Sequence, residues 1–161
     1  GSSPGVVQHL FCLLFGRFLL GMYFILPGIS KITGFDATLA YMVDHNVPMA
    51  TLLLIMTIVI QLGAGGALIV GFKAKYMAFI LAGLTLVISL YMHNFWDIVD
   101  DDVSLAHETQ NFFKNMGIMA GLLMVAALGA GRLSIDSRLA AKEAKRIVEV
   151  AVSEIPFSRR T

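Results

Sequence analysis

Cysteine is almost missing from this chain: Cys12 is the single one in 161 residues. An internal disulfide and a CxxC redox pair are thereby excluded, so electrons cannot pass through a thiol pair of this chain alone. Charge is scarce as well, at 14% of residues, where a soluble domain carries about 25%. No serine nucleophile elbow, Walker loop or dinucleotide fingerprint is present. No secretory signal with a cleavage site is evident: Arg17 interrupts the apolar run Cys12–Leu20, and no A-x-A-like site follows. His45, His93 and His107 lack the tight HxxxH or CxxC spacing of a convincing metal site, so no metal is expected. The triplet Asp100-Asp101-Asp102 reads as a solvated loop. No basic patch points to nucleic acid, because the basic residues lie beside apolar runs.

What the chain does have is apolar length. Hydrophobic residues make up 57% of it, and the mean hydropathy is +0.78. Four runs reach the ~20 helical residues that a hydrocarbon core of ~30 Å demands: Val7–Pro27, Ala50–Gly71, Tyr76–Trp96 and Phe112–Ala130. Lipid leaves the backbone no partner but itself, and no barrel-like alternation is visible. The expectation is an all-α membrane protein, a four-transmembrane-helix bundle with a C-terminal cytoplasmic amphipathic helix. Residues 1–6 read as a cloning scar or disordered lead-in, 7–135 as the transmembrane domain and 136–161 as a basic amphipathic tail.

Charge placement sets the expected orientation. The short loop Phe72–Lys75 carries Lys73 and Lys75, and the tail carries Arg132, Arg138, Lys142, Lys145, Arg146, Arg159 and Arg160. The acidic loop Asp97–Thr109 has no Lys or Arg. The positive-inside rule then places both termini in the cytoplasm. The tail's stripe of Leu139, Ala140, Ala144, Ile147, Val148 and Ala151, set against its basic residues, fits an anionic lipid surface, with a partner protein as the alternative.

The polar residues inside this frame are the candidate site. His107, Gln110, Asn111 and Lys114 fall at i, i+3, i+4 and i+7, so a helix puts them on one face. His93, Asn94 and Trp96 sit at the end of the preceding run. Either the set is an interfacial belt, or it lines a pocket between the third and fourth spans. Arg17 and Gln61 stand inside spans one and two. They either make a helix–helix contact or form a donor pair suited to a carbonyl oxygen.

Several motifs resemble those of the DoxX family of small four-helix bacterial inner-membrane proteins. They are Gly16-Arg17-Phe18, Gly28-x-x-Lys31-Ile32, Gly65-Gly66-Ala67-Leu68 and Gly71-Phe72-Lys73. His93-Asn94-Phe95-Trp96, Gln110-Asn111-Phe112-Phe113-Lys114-Asn115 and Gly131-Arg132-Leu133-Ser134-Ile135-Asp136 complete the set. Gln61 stands where the family usually has Glu; a Glu could neutralise Arg17, whereas a Gln can only accept a hydrogen bond from it. The resemblance implies a membrane component of an oxidoreductase system.

The expected function is a redox subunit that binds a quinone or similar apolar carbonyl ligand between its helices. His93 and His107 would be the proton-trading groups, since histidine titrates near neutral pH. Arg17, Gln61, Asn94, Trp96, Gln110, Asn111 and Lys114 would surround the ligand. Membrane lipid, a redox enzyme partner and a second copy of the chain are the expected partners. A non-catalytic membrane anchor or assembly factor is the alternative, and a small-molecule carrier the second.

Overall fold

The computed structural model describes residues 4–93 and 102–159. Helix α1 runs Pro4–Thr33, α2 Phe35–Asp44, α3 Ala50–Val70, α4 Ala74–Met92, α5 Asp102–Leu128 and α6 Ile135–Ser153. No strand occurs among the described residues. Four helices, α1, α3, α4 and α5, are long and apolar enough to cross a membrane, as expected. Two boundaries differ from expectation. Helix α1 already begins at Pro4, because a proline at the first helical position lacks only an N–H that the helix would leave unused. Helix α5 begins at Asp102, well ahead of Phe112, so much of the acidic loop is helical. Acidic residues suit a helix N-terminus, where they face the positive end of the dipole.

The spans pack in sequence: α1 on α3, α3 on α4, and α4 on α5, with α2 laid across α1 and α3. The turn Gly71–Lys73 is too short to allow anything but antiparallel neighbours for α3 and α4. Where α1 meets α3, the backbones approach closely. A Cβ on Gly21 would lie 2.7 Å from the Gly65 carbonyl oxygen, and one on Gly65 would lie 3.1 Å from that of Gly21. Small residues at a crossing let lipid-embedded helices gain van der Waals contact. Phe24, Leu68, Leu81 and Leu122 fill the interior. Phe11, Phe15 and Phe79 point outward, as lipid-facing residues do.

One end of the bundle, here called the base, holds the α3–α4 turn and the α5–α6 connection. Three chain segments are tied together there. The Asp136 carboxylate accepts from the backbone N–H of Lys73 at 2.6 Å and of Ala74 at 2.9 Å, capping α4. The Asp136 N–H donates to the Gly71 carbonyl at 2.9 Å. Ser134 caps α6 by accepting from the Ser137 N–H at 3.1 Å, and its hydroxyl donates to the Gly131 carbonyl at 2.6 Å. Gly71 has φ +75°, and a Cβ there would overlap Arg17 Nη1 and sit 3.1 Å from Ser134 Cα. Only glycine combines that conformation with that clearance.

Two outcomes follow for stability. Gly21→Leu overpacks the α1–α3 crossing and costs about 2 kcal/mol, whereas Gly117→Ala, with nothing within 4 Å of its Cβ, costs little. Thermal unfolding of the two variants in detergent checks the contrast. Asp136→Ala removes the α4 cap and lowers stability by about 1 kcal/mol, read as a lower midpoint in the same assay.

Candidate functional site

At the end opposite the base, α1, α2, α3 and α4 surround a partly enclosed cavity of about 460 Å³. That volume lies within the range of small-molecule sites, ~300–1,000 Å³. Helix α1 contributes Pro27, Ser30 and Lys31; α2 contributes Thr38, Tyr41 and Met42. Leu53, Leu54, Met56, Thr57 and Ile60 come from α3, and Leu84, Val87, Ile88, Tyr91 and Met92 from α4. The wall is predominantly apolar with a few polar groups, the usual make-up of a ligand pocket.

Local sequence explains why the space exists. Pro27 lies inside α1 and has no N–H to give the helical ladder at the level of the cavity. Helix α1 ends at Gly34, whose carbonyl accepts from the Thr38 N–H at 3.0 Å and the Thr38 hydroxyl at 2.9 Å, starting α2. Asn46 and Met49 have φ of 58° and 49°, turning the chain sharply from α2 into α3. Helix α2 is thereby laid over the mouth between α1 and α3, with Met42 buried and Tyr41 on the cavity wall.

His93 is the C-cap of α4 and also lines the cavity. Its Nδ1 is 2.6 Å from Oε2 of Glu108 on α5. A contact this short between imidazole and carboxylate is charge-assisted when the ring is protonated. The charge of Glu108 also reaches Tyr41. Burial pushes the Tyr41 phenol pKa up, and the Glu108 carboxylate pushes it further in the same direction.

Of the residues expected to form the site, His93 is on the wall. Asn94 and Trp96 lie outside the described residues. His107, Gln110 and Lys114 do share a face of α5, but they are exposed, and Asn111 is half-buried. The cavity that the described residues enclose lies among α1, α2, α3 and α4, not along the His107–Lys114 stripe. The inward face of α5 is the neighbouring stripe, with half-buried Glu108 and buried Asn115. Asn115 Oδ1 accepts from the Tyr23 hydroxyl at 3.0 Å and ties α5 to α1. Lys31, Tyr41 and Glu108 were missed by sequence reasoning. Glu108, Asn115 and Leu122 recur every seven residues, so a signal for the inward face was available.

The expected Arg17–Gln61 donor pair does not form either. Arg17 is 2% exposed at the base, where its Nη2 donates to the Leu133 carbonyl. Gln61 packs against Gly28, 3.3 Å from that residue's notional Cβ. From Arg17 to Gly28 is ~16 Å along α1 at 1.5 Å per residue. The antiparallel crossing at Gly21 and Gly65 fixes this register and carries Arg17 to the α3–α4 turn. Neither residue lines the cavity.

This architecture defines a multi-pass helical membrane protein with a polar-edged cavity at one end. The DoxX family model matches residues 12–94. Inner membrane protein YphA of Escherichia coli (strain K12) is 32% identical over 126 residues, covering 78% of this chain and 89% of that protein. Inner membrane protein YqjF of the same organism is 35% identical over 127 residues, covering 78% and 90%. A Surfeit locus protein 4 homolog of Schizosaccharomyces pombe is 26% identical over 84 residues, covering 52% of this chain but 28% of that protein. No solved structure matches the chain. The chain belongs to the DoxX family and is a multi-pass inner membrane protein.

The Tyr41 environment gives a direct pH outcome. Its phenol titrates above the ordinary tyrosine value, and Glu108→Gln brings it part of the way back, since burial, the larger cause, remains. Ultraviolet difference titration of wild type against Tyr41→Phe isolates this residue. A Tyr41 midpoint unchanged by Glu108→Gln contradicts the assignment.

Proposed function

We propose that this DoxX family protein is the membrane subunit of an oxidoreductase system and holds a quinone, or a similar apolar ligand with carbonyl oxygens, in the far-end cavity. The observation carrying this reading is the His93–Glu108 pair at 2.6 Å on the edge of an otherwise largely apolar pocket. An aromatic or isoprenoid body fits the aliphatic wall, and an imidazole–carboxylate pair is suited to exchange a proton with a ring oxygen. His93 is the proton-exchanging group and Glu108 orients it. His107 faces outward and is left without that role. Arg17 and Gln61 shape the frame rather than the ligand site. Electrons come from a partner enzyme, since the chain has no redox-cofactor motif of its own.

The base carries Lys73, Lys75 and Arg132, which supports placing it, and both termini, on the cytoplasmic side. The cavity then faces the periplasmic half of the membrane. A second reading, a membrane anchor or assembly factor, is supported by α6. That helix buries no residue and exposes Leu139, Ile147 and Val148. Its Arg138, Lys142, Lys145 and Arg146 suit an anionic lipid surface.

Organic extraction of the purified protein followed by mass analysis tests the first reading. The expected result is co-purified quinone in the wild type and its loss, by about tenfold in affinity, in His93→Ala. Absence of quinone together with capture of a soluble enzyme favours the anchor. Orientation is read by impermeant maleimide labelling in a Cys12→Ser background. Asn46→Cys labels from the periplasm and Phe72→Cys does not; the reverse pattern inverts the topology.

A further inference from the structure

The cavity wall holds a cation, Lys31, with no carboxylate beside it on the wall among the described residues. Lys31, in the last turn of α1, lines the pocket, and no Asp or Glu is among the lining residues. The ion pairs among the described residues join His93 to Glu108 and Arg146 to Glu143. Glu108, the acidic group whose charge reaches the wall at Tyr41, is thus engaged by His93 and not by Lys31. An ammonium beside an apolar surface has lost part of its hydration and gains most from an anionic oxygen brought to it. Among the described residues the same wall carries the hydroxyls of Ser30, Thr38, Tyr41 and Thr57 but no negative charge.

We infer that the cavity selects apolar ligands bearing an ionised oxygen, with Lys31 receiving that oxygen and the aliphatic wall receiving the body. This deepens the ligand reading above and rests on the cavity being a ligand site. It differs in what it demands, because a neutral quinone satisfies the apolar wall and leaves the ammonium unmatched. Two sources present the required chemistry: an acidic hydroxyquinone and the carboxylate of a fatty acid. Lys31 is a specificity-determining residue here, since its gain is confined to the charged member of a ligand pair.

Calorimetry on the full-length protein in detergent, at pH 7.5, tests this with three probes. They are a 3-alkyl-2-hydroxy-1,4-naphthoquinone, ionised at that pH, its neutral 2-methoxy counterpart, and palmitate. The expected result is that wild type binds the hydroxyquinone about tenfold tighter than the methoxy compound. Lys31→Met erases that preference while leaving methoxy binding within about twofold, and Lys31→Arg retains it. Palmitate binding that falls with Lys31→Met also supports the inference and shows that a carboxylate suffices. Equal affinity for the two quinones in wild type, or a preference that survives Lys31→Met, overturns the role of Lys31 and leaves the quinone reading standing. Lys31-dependent binding of palmitate with neither quinone bound does the reverse. If none of the three binds, both readings fall.

Discussion

Lipid gives a protein no hydrogen bonds, and the arrangement of this chain follows from that constraint. Its helices satisfy their own backbones along their length, and the difficulty moves to the ends, where the first N–H groups and last carbonyls of every helix need partners. At the base those partners are internal. Asp136 serves α4, Ser134 serves α6, and Arg17 reaches a carbonyl in the linker between α5 and α6. The Gly71-Phe72-Lys73 and Gly131–Asp136 motifs are the two halves of this joint. Their residue types follow from it: glycine where φ is positive, serine and aspartate where amides need acceptors.

The far end is built on the opposite principle. The chain does not close on itself there but parts, with Pro27 in α1, a break at Gly34, and a left-handed turn at Asn46 and Met49. The result is a half of the molecule tied by hydrogen bonds and a half with room in it. Binding groups are commonly carried near chain breaks fixed to a firm scaffold; Tyr41 sits on the short helix α2 between two such breaks, and His93 at the end of α4. The pair His93–Glu108 also joins the end of α4 to α5, so one contact borders the cavity and adds to the packing of the bundle.

Much of the frame was legible because it depends on run length. Four apolar stretches could only be spans, and a short basic turn could only join antiparallel neighbours. The site was less legible because periodicity fixes spacing but not phase. His107, Gln110, Asn111 and Lys114 have helical spacing, and so do Glu108, Asn115 and Leu122. Which stripe turns inward is decided by the partner helices, α4 and α1, not by the stripe. Arg17 and Gln61 each looked mid-span from length alone, yet the crossing at Gly21 and Gly65 slides them past one another. Lys31, Tyr41 and His93 come from three helices, and no local spacing records their convergence.

The clamp on α4 has a consequence for biogenesis. Asp136 lies 62 residues downstream of the Ala74 amide it caps. Until the ribosome has released that aspartate, the N-terminus of α4 relies on water and headgroups for its hydrogen bonds. The third span therefore enters the bilayer unfinished and is locked only after the fourth has emerged. A nascent chain arrested before residue 136 holds all the spans without the fastening that joins them.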